Sequence, residues 1–331
     1  MYKVISTFSG IGGSSTGYKM AGFEVLAAVE FLDYQAANYR LNYPNTKLYQ
    51  QDIRTLDPLK ILEENGLKVG ELDILDGSPP CSSFSTAGNV EDGWGKTKKY
   101  GNRVQKTDDL FYEYIRFIKA IQPKVFVAEN VSGLLKGSSK GMFNVFFNEM
   151  KSCGYNVKAK LLNAANYGVP QIRQRVIFIG VRNDLNLEPV FPKPQIKTVS
   201  LSDAFKVVVN SKEDLKEVNI ERFAIYTELL KMQPYGKSDK YMSLLKEHPN
   251  KPCRTLTATN GSCGAASVCH WNNRKFTVNE CKAITSFPQD WKTTGKSYAE
   301  KVEGFGRAVP PLMMKAIAET IKIEILDKLP K

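Results

Sequence analysis

An apolar run, Leu72-Asp73-Ile74-Leu75, breaks into Asp76-Gly77-Ser78-Pro79-Pro80-Cys81-Ser82-Ser83-Phe84-Ser85, and no other passage constrains the chain as tightly. The run reads as a buried strand. Two successive prolines fix φ and supply no N–H, so neither a helix nor a sheet ladder continues through them. Cys81 is therefore expected on a stiff turn at the carboxyl end of a strand, the edge of an open parallel sheet where ligands bind. A thiol there can meet a substrate as thiolate, the form that attacks carbon. The plainer alternative is a buried, inert cysteine, and the flanking sequence decides between them.

The chain opens with Val4 to Phe8, a first strand, then Ser9-Gly10-Ile11-Gly12-Gly13 and a helix from about Ser14 to Met20. Glycines at that junction let a ligand approach the backbone and the helix N-terminus. Val25 to Val29 reads as a second strand ending in Glu30, where an acid is positioned for ribose hydroxyls. The glycine pattern is not the GxGxxG of dehydrogenases, and a nicotinamide enzyme would leave Pro-Pro-Cys unexplained. After a helix near Asp33 to Leu41, Tyr49-Gln50-Gln51-Asp52-Ile53 supplies another acid at a strand end.

Residues 88 to 107 form a long loop with four glycines among Lys96, Lys98, Lys99, Arg103 and Lys106. A loop of that length suits a basic flap over phosphates, or else a solvated surface. A helix from Asp108 to Ile121 stops before Pro123, and Val125 to Ala128 is a strand running into Glu129-Asn130-Val131. A helix over Met142 to Ser152 follows, then alternating Tyr155, Val157, Ala159 and Leu161. Arg173 and Arg175 open the strand Val176 to Ile179, and residues two apart on a strand share a face, so paired guanidinium forks are expected there.

From about Asn183 to Pro252 the sequence is polar, weakly periodic and proline-rich, with Lys231, Tyr235, Lys237, Lys240 and Tyr241 suited to nucleic-acid contact. A C-terminal helix runs to about Leu326. The chain has 46 Lys and Arg against 34 Asp and Glu, a net +12 that points to a polyanionic partner. Its six cysteines form no CxxC pair, no leader is visible, and no apolar run reaches membrane-spanning length. A reduced, cytoplasmic chain without a metal is expected; Cys253, Cys263, Cys269 and His270 lack the CxxC spacing of a zinc site.

The ordered set Phe8-Ser-Gly-Ile-Gly-Gly13, Glu30, Asp52, Pro79-Pro80-Cys81, Glu129-Asn130-Val131, Gln171-x-Arg173-x-Arg175, the Arg274 to Pro288 block and Gly306-x-Ala308-Val309-Pro310-Pro311 resembles the DNA cytosine-5 methyltransferases from Phe8 to Pro311. The resemblance implies an α/β fold: a Rossmann-like S-adenosylmethionine-dependent catalytic domain with a smaller target-recognition domain. The expected limits are 1–182 for the catalytic domain, 183–284 for target recognition and hinge, and 285–331 for a segment returning to the catalytic domain. It further implies that Cys81, Glu129, Arg173 and Arg175 are catalytic. Phe8, Gly10, Gly12, Gly13, Glu30, Asp52, Ile53, Pro79, Ser82, Leu110, Arg307 and Val309 would hold the cofactor. Double-stranded DNA is the implied partner, in a monomeric enzyme of a bacterium or its phage. Transfer to an RNA cytosine is the alternative from within the same fold.

These residue types suit the reaction. Cytosine C5 is a poor nucleophile, and a thiolate adding at C6 turns it into an enamine carbon. A carboxyl group beside N3 eases that addition, a guanidinium can hold O2, and the base must first leave the duplex. Two positions depart from the family: Ser82 replaces the usual Gln after the cysteine, and Arg307 replaces the usual Asn of the final motif. A fixed cation beside a sulfonium is unfavourable, whereas a carboxylate on the transferred carbon reverses the sign. The expectation drawn from the pair is a carboxymethyl group transferred from carboxy-S-adenosylmethionine, with ordinary S-adenosylmethionine as the alternative.

Overall fold

A computed structural model describes residues 1–80, 98–100, 103–105, 109–136, 140–241, 243–261 and 268–330. Cys81, Ser82 and Cys263 lie outside these residues, as does most of the 88–107 stretch. The described part of that stretch contains an antiparallel pair, Lys98–Tyr100 with Arg103–Gln105. The chain divides into two units, the first made of Met1–Leu162, Gln174–Lys193 and Met314–Lys331, the second of Asn163–Arg173 and Pro194–Met313.

The first unit is built on a seven-stranded sheet of β1 (Lys3–Thr7), β2 (Glu24–Val29), β3 (Lys47–Tyr49), β4 (Ile74–Gly77), β5 (Val125–Val131), β6 (Tyr155–Asn163) and β7 (Gln174–Arg182). Their order across the sheet is β3-β2-β1-β4-β5-β7-β6. Strands β3 through β5 are parallel, and β7 pairs antiparallel with β5. The chain leaves β1 first to one side and later to the other. The carboxyl ends of β1 and β4 therefore flank the switch point where such sheets bind ligands.

Continuous apolar sequence in β1, β2 and β4 fits strands covered on both faces. On one face Ile5, Ala27, Leu75, Phe126, Ala128 and Phe178 pack under α3 (Pro58–Glu64), α4 (Leu110–Ile121) and α5 (Lys140–Ser152). Alternation along the strands puts Ser6, Asp76, Val127 and Glu129 on the opposite face. Local chemistry sets the helix ends. Asp57 caps α3 by accepting from Leu59 N–H, with Pro58 in the first turn, and α4 stops at a left-handed Gln122 just before Pro123. The remaining helices of the N-terminal part are α1 (Gly13–Met20) and α2 (Asp33–Asn42).

In the second unit short helices surround small apolar clusters, one formed by Ile220, Ile225, Leu229, Leu244 and Cys269. Capping boxes at Ser211/Asp214 and Thr277/Glu280 start two of these helices. The unit boundaries fall at 193/194 and 313/314, and residues 163–173 join the second unit. The expected limits are 182/183 and 284/285. Two contacts hold residues 163–173 and the stretch past 284 within the second unit. Arg173 donates to the carbonyls of Leu256 (3.1 Å) and Arg307 (3.3 Å). The Tyr298–Arg307 helix also approaches Thr257 so closely that a Cβ on Gly306 would sit 2.3 Å from the Thr257 carbonyl oxygen. Among the described residues no helix is long and apolar enough to cross a membrane, and no group of three or more His, Cys, Asp or Glu could hold a metal.

Candidate active site

At the end of β1 the backbone turns sharply, with Phe8 (φ 52°) and Gly10 (φ 56°) both left-handed. A bulky residue is costly in that conformation, and such strain is held where the surroundings impose it. Here the surroundings are hydrogen bonds. Ser9 N–H donates to Val29 O (3.0 Å), Gly10 N–H donates to Glu30 Oε2 (2.8 Å), and Ser78 Oγ donates to the Phe8 carbonyl (3.1 Å). Glu30 Oε1 accepts from Leu32 N–H at 2.7 Å, so its carboxylate both shapes its own turn and holds the glycine turn. Gly12 and Gly13 lead into α1, buried like most of that helix.

Asp52 lies past the end of β3, three residues beyond Tyr49, and not on the strand end itself. Its carboxylate caps the turn Ile53–Thr55 by accepting from Arg54 N–H (3.1 Å), and it pairs with the Arg54 guanidinium at 2.9 Å. Arg54 also pairs with Asp109, next to α4, where Leu110 is buried. Ile53, Asp52 and Leu110 are thereby held together at the rim of the sheet.

Beyond β4, the Pro79 carbonyl accepts from Asn130 Nδ2 (3.2 Å), and Asn130 Oδ1 accepts from Val131 N–H (2.8 Å). The end of β5 is thus tied to the turn that leads to Cys81. One residue earlier on β5, Glu129 pairs with Arg175 at 2.6 Å, both side chains largely buried. The antiparallel register, Glu129 opposite Ile177 and Val131 opposite Arg175, brings the two together.

The two arginines do not present a shared fork. Strand β7 begins only at Gln174, so the alternation argument does not reach Arg173. Its side chain, 1% exposed, is spent on backbone carbonyls of the second unit, while Arg175 faces Glu129 in the first. In the second unit Val309 is buried. Arg307 donates to Glu303 Oε1 from Nε (2.9 Å) and Nη2 (2.7 Å), an ion pair one helical turn apart. His270 is buried, and desolvation followed by Arg274 pushes its pKa down to about 2, so it is neutral at any physiological pH.

Sequence reasoning passed over Asp76, a carboxylate 3% exposed on β4 directly before the Pro-Pro turn. Its Oδ2 accepts from Ser6 Oγ (2.8 Å) and its Oδ1 from Tyr18 OH (3.4 Å). Burial drives its pKa from 3.8 up to about 7, against the opposing pull of Ser6, Tyr18 and Ser14 and with a further push from Glu129. The available signal was an acid continuing an apolar strand, where a carboxylate needs partners.

The sheet order and the ligand edge are those of a Rossmann-like S-adenosylmethionine-dependent methyltransferase. The family model described as C-5 cytosine-specific DNA methylase matches residues 2–323. Similar proteins include Type II methyltransferase M1.HphI of Haemophilus parahaemolyticus, 34% identical over 96% of this chain and 86% of its own length. Type II methyltransferase M.FnuDI of Fusobacterium nucleatum is 32% identical, with 98% and 96% covered. Among solved structures, an Escherichia coli prophage protein described as a DNA modification methyltransferase superposes with a TM-score of 0.78 at 21% identity, covering 99% of this chain and 100% of that one. The chain belongs to the C-5 cytosine-specific DNA methylase family, whose members transfer methyl groups from S-adenosylmethionine.

Proposed function

We propose that this enzyme methylates C5 of a cytosine flipped out of duplex DNA, with Cys81 as the nucleophile and Glu129 as the acid. The observation that carries this reading is the Glu129–Arg175 pair, on a strand whose next residue, Asn130, is bonded to the Pro79 carbonyl two residues before Cys81. An acid and a guanidinium at that edge suit a pyrimidine ring, the acid for N3 and the guanidinium for O2.

The Cys81 thiolate forms an S–C6 bond while Glu129 holds a proton at N3, which leaves C5 as an enamine carbon. When bound, S-adenosylmethionine would supply an electrophilic methyl group for C5, its S–CH3 bond breaking as the sulfonium leaves as the neutral thioether of S-adenosylhomocysteine. Loss of the C5 proton to a base then expels the Cys81 thiolate and restores the ring. The residues fit the cofactor. The left-handed glycine turn bonded to Glu30 keeps its backbone open to a ligand, Glu30 suits ribose hydroxyls, and Phe8, Asp52, Ile53, Pro79 and Leu110 offer the mixed apolar and polar wall that an adenosine needs. The net +12 charge supports a duplex DNA substrate.

The carboxymethyl reading rests on Ser82 and Arg307. The Glu303 partner of Arg307 favours the ordinary donor, because the guanidinium already has a carboxylate. That pair is partly exposed and worth only about 0.5 kcal/mol, so its exchange for a carboxylate on a cofactor costs little. The purified enzyme is offered DNA with each donor in turn, and the modified nucleoside is identified by mass spectrometry for wild type, Cys81→Ala, Glu129→Gln and Arg307→Asn. The expected result is 5-methylcytosine from the wild type, no product from Cys81→Ala and severe impairment in Glu129→Gln. Undiminished transfer by Cys81→Ala, or activity on RNA and none on DNA, would overturn the reading. A carboxymethyl product that is lost in Arg307→Asn would transfer support to the second donor.

A further inference from the structure

We propose that Asp76 is a positioning residue whose ionised carboxylate clamps the end of β1 and the start of α1 to the strand that carries the Pro-Pro-Cys turn. The inference rests on the reading above, in which the glycine turn holds the cofactor and the Pro-Pro-Cys turn carries the nucleophile.

The geometry is one of convergence. Ser6, two residues before Phe8, donates to one carboxylate oxygen, and Tyr18 of α1 donates to the other, with Ser14 of α1 also hydrogen-bonded to the carboxylate. These donors bracket the 8–13 turn on both sides. On the other side of the clamp, the Asp76 carbonyl accepts from Thr7 Oγ1 (3.0 Å), and the next residue, Gly77, has no room for a side chain. A Cβ there would lie 2.4 Å from the Tyr114 ring and 2.7 Å from Thr7 Oγ1. Tyr114 is fixed by its hydroxyl, which donates to the carbonyls of Leu75 (3.0 Å) and Val127 (2.8 Å). One residue further on, Ser78 Oγ reaches back to the Phe8 carbonyl. Through Asp76 and its neighbours the carboxyl ends of β1 and β4 and the start of α1 are hydrogen-bonded to one another.

A packed apolar side chain at this position would be cheaper than a buried carboxylate, so fold stability alone does not account for an acid here. All three hydroxyls serve the carboxylate as donors. Protonation would convert one oxygen from acceptor to donor and break at least one of those contacts. The titratable groups that interact electrostatically with Asp76 are Tyr18 on α1, Tyr39 on α2, Tyr114 on α4 across the sheet and Glu129 on β5, the last carrying Arg175 as its counter-ion. The tyrosines stay neutral through the physiological range, since burial raises all three. Asp76, near 7, is the group in this cluster placed to titrate there.

The test measures single-turnover methyl transfer to duplex DNA from about pH 5.5 to 9, and in parallel the affinity for S-adenosylhomocysteine over the same range in a Cys81→Ala background. The wild-type rate should fall as pH drops through about 7. Asp76→Asn should be slower above that pH by roughly ten- to a hundredfold, the upper figure being the loss that a misplacement of about an ångström produces, and should lack the break. Ser6→Ala and Tyr18→Phe, which each remove one donor to the carboxylate, should move the break to higher pH. An Asp76→Asn profile that keeps the wild-type break, or a uniform loss at every pH, would overturn the proposal, as would an unmoved break in both donor variants. The binding arm needs no catalysis. It judges the clamp by whether affinity weakens below about pH 7 in an Asp76-dependent way, even where transfer by Cys81→Ala has overturned the reading of the nucleophile.

Discussion

Replacing Asp76 by asparagine should change how the stability of the protein depends on pH, and the size of the change follows from burial. The carboxyl group titrates near 3.8 when free and at about 7 in the fold, chiefly because burial disfavours its charge. Between those values the folded chain binds a proton that the unfolded chain has released. Its stabilising contribution is therefore complete below about 3.8 and is lost as pH rises to about 7. At roughly 1.4 kcal/mol for each pH unit of difference, the loss amounts to about 4 kcal/mol. Asparagine keeps the shape and cannot ionise. The difference in unfolding free energy, variant minus wild type, should then climb by about 4 kcal/mol from acid to neutral pH and stay level above it. Urea denaturation followed by circular dichroism at a series of pH values measures this, with a constant m-value as the control for a two-state comparison. A difference that does not vary with pH would refute the argument, since it would mean that Asp76 has the same charge in both states throughout. A variant that gains stability above neutral pH while losing rate would show a functional site retained at the expense of the fold.

Gly77→Ala should lower the melting temperature by an amount equivalent to about 1–3 kcal/mol, because the added methyl meets the anchored Tyr114 ring; an unchanged melting curve would contradict the close approach. Arg173→Lys should destabilise the second unit by about 2 kcal/mol, since an ammonium cannot match the planar fork that reaches the Leu256 and Arg307 carbonyls, and this is read by hydrogen exchange over residues 254–258. Binding to duplex DNA should weaken steeply with salt, linearly in log–log form, and a target cytosine set in a mismatch should bind more tightly, both measurable by fluorescence anisotropy.

Most elements of the first unit are legible because they announce themselves locally, whereas α3 and the Lys98–Tyr100/Arg103–Gln105 pair are not. Strand, glycine turn and helix at Val4 to Met20, and strand and Pro-Pro turn at Leu72 to Pro80, are patterns of neighbouring residues whose backbone preferences need no distant partner. The ordered motifs that carry Cys81, Glu129 and Arg175 likewise sufficed for the family. What neighbours cannot encode is which groups meet across strands. Arg173 and Arg175, two positions apart, look equivalent in one dimension. The start of β7 falls between them, and one is committed to backbone carbonyls while the other faces Glu129. Asp52 looks like an acid on a strand end and turns out to cap a turn and hold Arg54. The unit boundaries depend on Arg173 reaching residues 83 and 134 positions away along the chain. Asp76 opens the stretch that runs into the Pro-Pro turn, and the sequence assigns it no role. Only the alignment of β1 with β4, and the placement of α1 over both, surrounds it with hydroxyls and removes water, and burial is a property of the assembled sheet that no local sequence specifies.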